Sequence, residues 1–383
     1  MKLKSLLAPA LLLVHSLAFG ATPQPLLPPP PAPAVDAKGY VLVDYYSGQE
    51  LASRNGSERV EPASLTKLMT AYIAFTAVKQ GRLSLGQTLP VSEKAWKAEG
   101  SRMFIQPDMP VTVDELLHGM IIQSGNDASI TLAENIAGGE DAFAALMNKE
   151  AQRLGMKNTH FMNATGLPHA QHYSTPYDLS VLARAIIRDF PDFFKLYSIK
   201  EYRYNNITQP NRNQLLWRDP SVDGMKTGHT EAAGFCLIST AKRQNMRLIS
   251  VVVGTASDNL RTSESQKLLN YGFQFFETFR PYQKGQVLAN LPMWKGSSRT
   301  LKAGLTEDMY VTVPRGQYPH IAASMVSQQP LLAPVSAGQS VGTLKLALGG
   351  KVLTERPLAA LESVGVANMF VRGWHSLRLM IGQ

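Results

Sequence analysis

The sequence predicts an α+β fold. One sheet is assembled from strands at both ends of a long helical region, and a small all-β domain and a C-terminal amphipathic helix follow. Three observations carry this prediction. Apolar, β-prone runs open the region at Tyr40–Tyr46 and close it at Phe235–Ala241 and Met246–Gly254, while the stretches between repeat apolar residues at helical spacing. After Pro281 the texture changes to short runs between Gly, Pro and Ser. Near the end, Val366, Met369, Phe370, Trp374, Leu377, Met380 and Ile381 share one helical face, with Asn368, Arg372, His375, Ser376 and Arg378 mostly opposite.

Taken in order, Lys2 and Lys4 precede the apolar stretch Leu6–Phe19 and the small residues around Ala21, the pattern of a secretory signal peptide over 1–21. The stretch is shorter than the ~20 apolar residues a membrane span needs. Prolines at 23, 25, 28, 29, 30, 31 and 33 make 22–35 a stiff spacer. Ser47-Gly48 turns the first strand into a short return strand. Helices are expected over Ser64–Gln80, entered through Pro62, and over Val113–Ile122 and Ala128–Ile136, interrupted by Ser124-Gly125-Asn126-Asp127. Ala142–Leu154, closed by Gly155, and Asp178–Arg188 are further helices. Gln244-Asn245 joins the two late strands as a hairpin, and Ser263–Phe279 reads as an amphipathic helix. The expected domains are 36–281, the β domain 282–362 and the helical tail 363–383.

Composition narrows the function. Of 383 residues, 44% are hydrophobic and 17% charged, which excludes a disordered chain. Cys236 is the single cysteine, so an intrachain disulfide framework and a Cys-based zinc site are excluded. Secretion with one cysteine suits a bacterial periplasm. Removing Lys2 and Lys4 lowers the formal charge from +9 to +7. No run of Lys and Arg is dense enough for a nucleic-acid arm, so nucleic acid is not an expected partner. An anionic membrane surface and an acidic polymer remain open.

Three short motifs carry the chemistry: Ser64-Leu65-Thr66-Lys67 at a helix start, Ser124-Gly125-Asn126 in the helical middle, and Lys226-Thr227-Gly228 before the hairpin. Each alone is weak; Ser64 and Lys67 by themselves also fit a helix start with a solvated lysine. Together, in this order and local setting, they are specific. A serine hydroxyl needs a neighbour to accept its proton. Three residues apart on a helix, Ser64 and Lys67 face each other. Lys67 acts as a base if its surroundings keep it neutral, and Lys226 is expected to help by disfavouring a second positive charge. Ser124 is placed to relay a proton, and Asn126 to bind a substrate amide and orient Lys67. The backbone from Lys226 to His229 suits an extended peptide laid along an edge strand, with Gly228 allowing close approach. The N–H groups of Ser64 and His229 suit an oxyanion hole. Arg212 is a candidate partner for a substrate carboxylate. His169 and His172 lack acidic or thiol companions and read as loop histidines, not metal ligands; Cys236 reads as an inert core residue.

These segments resemble the low-molecular-mass penicillin-binding proteins of the D-Ala-D-Ala carboxypeptidase type. The resemblance runs through Glu61–Thr70, Gln123–Ala128, Asn211-Arg212-Asn213, Val222–Thr230, Asn270–Thr278 and Val313–Gly316, nearly the whole mature chain. It implies a β-lactamase/transpeptidase-like catalytic domain, a small β domain and a membrane-associated C-terminal helix on the periplasmic face of the cytoplasmic membrane. It implies removal of the terminal D-Ala from peptidoglycan pentapeptides through an acyl-enzyme on Ser64, acylation of the same serine by β-lactams, and Arg212 and Thr227 on the terminal carboxylate. Neither metal nor organic cofactor is implied. Two departures stand out: Ser92–Phe104 is shorter than the family's usual site-flanking loop, and the proline-rich segment is longer than expected.

Three other readings compete. A β-lactamase would share Ser64 and Lys67, but no Glu-x-x-Leu-Asn segment is found. A D,D-endopeptidase would not be expected to carry the β domain. A non-catalytic cell-wall binding module is opposed by the complete set Ser64, Lys67, Ser124, Asn126 and Lys226.

Overall fold

The computed structural model describes residues 28–380. The expected signal peptide over 1–21, the first spacer residues and Ile381 lie outside the described residues.

Strands β1 (Gly39–Asp44) and β2 (Glu50–Arg54) pair across the Ser47-Gly48 turn. The chain then builds helices α1 (Lys67–Lys79), α2 (Val113–Ile122), α3 (Asn126–Ala137), α4 (Glu140–Leu154) and α5 (Pro176–Asp189). It returns to the sheet through β3 (Val222–Thr230), β4 (Gly234–Arg243) and β5 (Met246–Thr255). The strand order is β2-β1-β5-β4-β3, all antiparallel. The sheet is thus sewn from both ends of the region, as expected, and β3 lies at its edge.

Side chains that alternate along the strands bury both faces. Val41 and Val43 join Val251 and Val253 in the core shared with α1 to α5. Tyr40 and Leu42 join Leu248 and Val252 under Leu268 and Leu269 of α6 (Asp258–Phe275). Helix α1 is buried on nearly every side, so apolar periodicity alone outlines it poorly. Thr112 caps α2 in a reciprocal box with Glu115.

Helix α6 starts and ends earlier than the expected Ser263–Phe279. Ser257 caps it, accepting from the Leu260 N–H. The β-prone Phe276-Glu277-Thr278-Phe279 forms strand β6 (Phe276–Tyr282), which runs across Pro281. The β domain therefore begins at Phe276, not after Pro281. It continues through β7 (Val287–Trp294), β8 (Thr300–Gly304), β9 (Met309–Pro314), β10 (Ile321–Ser327), β11 (Leu331–Leu332), β12 (Ser340–Leu348) and β13 (Lys351–Ala360). Strand β6 pairs with β9, and the rest form one sheet in the order β10-β12-β13-β8-β7-β11. Helix α7 (Met369–Met380) follows.

The described end of the spacer is fastened to the body. Val35 is buried, the Tyr271 hydroxyl donates to the Pro30 carbonyl (2.9 Å) and Lys267 Nζ to that of Ala34 (2.9 Å). The two domains are joined through Asp44, which is fully buried at the end of β1. Its carboxylate accepts from Ser47 N–H (2.7 Å), Ser47 Oγ (2.9 Å) and Thr278 Oγ1 of β6 (2.7 Å). Ser47 Oγ also meets Thr312 Oγ1 of β9 at 2.7 Å. Removing a buried acceptor strands several donors at about 1–3 kcal/mol. Asp44→Ala is therefore expected to lower Tm by several degrees in calorimetry, with hydrolysis of a soluble peptide at low temperature unchanged.

Candidate active site

Pro62 and the positive φ of Ala63 (47°) bring the chain into a short 3-10 turn, Ala63–Thr66, which runs straight into α1. That geometry needs a glycine elsewhere. Gly166 (φ +85°) lies so close that a Cβ on it would sit 1.8 Å from the Ala63 carbonyl oxygen. Gly228 serves the other side: a Cβ there would meet the Pro62 carbonyl oxygen at 3.1 Å. Edge strand β3 thereby closes on the serine-bearing turn, so the close approach at Gly228 is to Pro62 and Ala63.

Ser64 is half-buried and lines an open cavity of about 770 Å³ together with Gly100, Ser101, Ser124, Arg212 and Thr227. Gly228 and His229 also line it, and Trp217 and Arg261 extend it past the motif residues. Two buried lysines stand behind this surface. Lys67 Nζ lies 3.0 Å from Ser64 Oγ and donates to the Thr165 carbonyl at 2.6 Å. Lys226 Nζ donates to Ser124 Oγ at 2.9 Å and to the Thr227 carbonyl at 2.9 Å. Ser124 has φ 63°, a strained conformation for a serine that aims its hydroxyl at Lys226.

Burial dominates the electrostatics. Lys67 is held down to about 7, first by desolvation and then by the Arg212 charge, with Asp127 opposing. Lys226 lies well below the ordinary lysine range through burial and the charges of Lys67, Arg212 and Arg261. Lys67 and Lys226 repel each other's charge, as the sequence suggested, and Arg212 adds a further cation acting on Lys67. Arg212 is exposed, with no hydrogen-bond or ion-pair partner among the described residues.

Asn126 departs from expectation. It makes no hydrogen bond to Lys67; its Nδ2 donates to the Glu99 carbonyl (2.6 Å), and its Oδ1 is buried without a partner. Its neighbour Asp127, buried, accepts from the N–H groups of Met103 (3.0 Å) and Phe104 (2.8 Å), pinning the short flanking loop to α3. The sequence motif included Asp127 but gave it no task.

His172 is a loop histidine, as expected, yet it is buried and bonded to Thr66 Oγ1 (2.8 Å) of the serine turn. Arg261, unmarked in the sequence, is buried beneath β3, donates to the Gly228 carbonyl (3.1 Å) and pairs with Asp258. Neither lies in a motif; only the tertiary fold brings them to the site. Cys236 is buried, its thiol pushed up to about 11. Among the described residues no cluster of His, Cys, Asp or Glu is arranged to hold a metal.

A cavity-lining serine beside a near-neutral lysine, on a turn clamped under the edge of a five-stranded sheet, defines a serine acyl-transfer enzyme of the penicillin-binding, transpeptidase-like fold. Comparison with known proteins specifies it further. The profile described as D-alanyl-D-alanine carboxypeptidase matches residues 28–257, and that of the penicillin-binding protein 5 C-terminal domain matches residues 276–366. D-alanyl-D-alanine carboxypeptidase DacA of Escherichia coli K12 is 41% identical over 359 residues, covering 92% of this chain and 89% of that protein. The crystal structure of penicillin-binding protein 5 from Haemophilus influenzae superposes with a TM-score of 0.84 at 40% identity, over 87% of this chain and 98% of that one. Penicillin-binding protein D2 of Listeria monocytogenes, solved in its ampicillin-bound form, superposes at 0.59 with 30% identity, over 63% of this chain and 100% of that one. The chain belongs to the family of serine-type D-alanyl-D-alanine carboxypeptidases. The β-lactamase and binding-module alternatives give way to this family.

His172 also sets a pH dependence of the fold. Burial, with the charges of His160, His169 and Lys67, lowers its pKa from 6.5 to about 4. Between those values the unfolded chain binds a proton that the folded one refuses. Stability is therefore expected to be complete above about 6.5 and to fall as the pH drops toward about 4. His172→Gln should flatten that stretch of a plot of Tm against pH.

Proposed function

We propose that this carboxypeptidase acts on the pentapeptide stems of periplasmic peptidoglycan, with Ser64 as nucleophile and Lys67 as its base. The observation that carries the reading is the 3.0 Å contact between Ser64 Oγ and a Lys67 amine whose pKa lies near 7. A neutral Lys67 takes the Ser64 proton as Oγ attacks the carbonyl of the penultimate D-Ala. Ser124, fed by Lys226, passes a proton to the departing D-Ala amine as the C–N bond breaks. Water then hydrolyses the acyl ester. The N–H groups of Ser64 and His229 stabilise the oxyanion. The unpartnered Oδ1 of Asn126 is suited to an N–H of the substrate backbone. Arg212 and the Thr227 hydroxyl receive the terminal carboxylate, the guanidinium supplying a charge the protein leaves unused. β-Lactams acylate the same Ser64.

The signal-peptide pattern supports secretion, and α7 supports attachment to the outer face of the cytoplasmic membrane. Phe370 is 90% exposed, with Met369, Trp374 and Met380 also exposed, and Arg372 and Arg378 on the same helix suit anionic headgroups. No helix among the described residues is long and apolar enough to cross a membrane, so attachment would be peripheral.

Incubation with diacetyl-Lys-D-Ala-D-Ala should release D-Ala, and Ser64→Ala should abolish both release and labelling by penicillin. Surviving label would refute the nucleophile. The acylation rate should climb with pH through about 7, as Lys67 loses its proton, and level off above; a rate that falls with pH would exclude Lys67 as base. Deleting residues 366–383 should free the protein from vesicles of anionic phospholipid while leaving hydrolysis intact.

A further inference from the structure

A neutral amine has two N–H bonds and one lone pair. Only a lone pair aimed at Ser64 Oγ can take its proton. One N–H of Lys67 is committed to the Thr165 carbonyl at 2.6 Å, so the position of that carbonyl sets where the lone pair points. Thr165 belongs to the loop between α4 and α5, far from Lys67 in sequence. Something must fix the loop against the serine turn.

His172 makes that connection. Its Nδ1 accepts from the Met162 N–H (3.2 Å), so the ring proton resides on Nε2 and is donated to Thr66 Oγ1 (2.8 Å). Thr66 directly precedes Lys67, and both are buried. Met162 begins the run that carries Thr165. Within that run, Asn163 Oδ1 accepts from the N–H groups of Thr165 (3.2 Å) and Gly166 (2.7 Å), and Thr70 Oγ1 of α1 donates to the Ala164 carbonyl (2.7 Å). Gly166 rests against Ala63. A protonated ring would set two N–H groups against each other at Met162. The titratable groups facing the ring are His160 and His169 of the loop and Lys67 of α1, all of which disfavour that proton.

We propose that His172 is a positioning residue for the acylation step, bolting Thr66 to the loop so that the Thr165 carbonyl holds the Lys67 lone pair on Ser64. The inference rests on Lys67 being the base.

Its test uses the full mature chain, with acylation by a fluorescent penicillin and D-Ala release measured across the pH range and normalised to the fraction titratable with penicillin. His172→Leu removes both bonds. It should lower the acylation rate constant about tenfold or more, leave KM within about twofold, and move the acid limb of the pH profile by about half a unit or more. Thr66→Val, which removes the same bond from the other end at constant volume, should do likewise. His172→Gln can accept from Met162 and donate to Thr66, and should keep the rate within about threefold with the limb in place. Wild-type rates per folded molecule in both His172→Leu and Thr66→Val would overturn the proposal, as would a Gln variant as damaged as Leu. If instead the wild-type rate shows no limb near pH 7, the assignment of Lys67 fails and not the bolt alone.

Discussion

A lysine buried without a carboxylate beside it is the constraint on which the site depends. Water would keep Lys67 charged and useless as a base; the interior makes the charge costly, and the amine sheds its proton near neutrality. The architecture follows from creating that interior. The 3-10 turn places Ser64 at the cavity wall while the next residues enter α1, the most enclosed of the helices. The sheet edge closes from one side and the Thr165 loop from the other. Asp127, the acid whose charge opposes the lowered Lys67 pKa, is occupied by backbone N–H groups of the flanking loop and forms no salt bridge with the lysine.

The arrangement also separates tasks between two hydrogen-bonded pairs. Lys67 faces Ser64, and Lys226 faces Ser124. Each amine has a backbone carbonyl as its second partner, Thr165 or Thr227, so neither needs a counter-ion. Positive charge converges on the cavity from Arg212 and Arg261, which favours an anionic ligand terminus before any specific contact forms. Of the two guanidiniums, Arg261 is committed to the strand and Arg212 is free.

Much of this was legible in the sequence because it is local. The three motifs named Ser64, Lys67, Ser124, Asn126 and Lys226, and the strand and helix runs placed the sheet correctly. Misreadings came where local signals run together. Aromatic residues recur at close spacing from Tyr271 through Phe273, Phe275 and Phe276 to Phe279, so helix and strand could not be divided by periodicity, and Pro281 drew the boundary too late. The described spacer residues, 28–35, form no helix or strand, yet Val35 is buried, because the Pro30 and Ala34 carbonyls meet Tyr271 and Lys267 some 230–240 residues away. His172 and Arg261 were invisible for the same reason: their meaning lies in partners far along the chain. That Arg212 also bears on Lys67 is set by the folded site alone.

Helix α6 ends at Phe275 and strand β6 starts at Phe276, so no slack separates the catalytic domain from the β domain. The Asp44 junction fastens the same seam a second time. A hinge would need spare residues, and this seam has none. The β domain is therefore tied to the catalytic domain at two points. Whatever constrains the orientation of one domain thereby constrains the orientation of the other, and with it the direction in which the cleft opens.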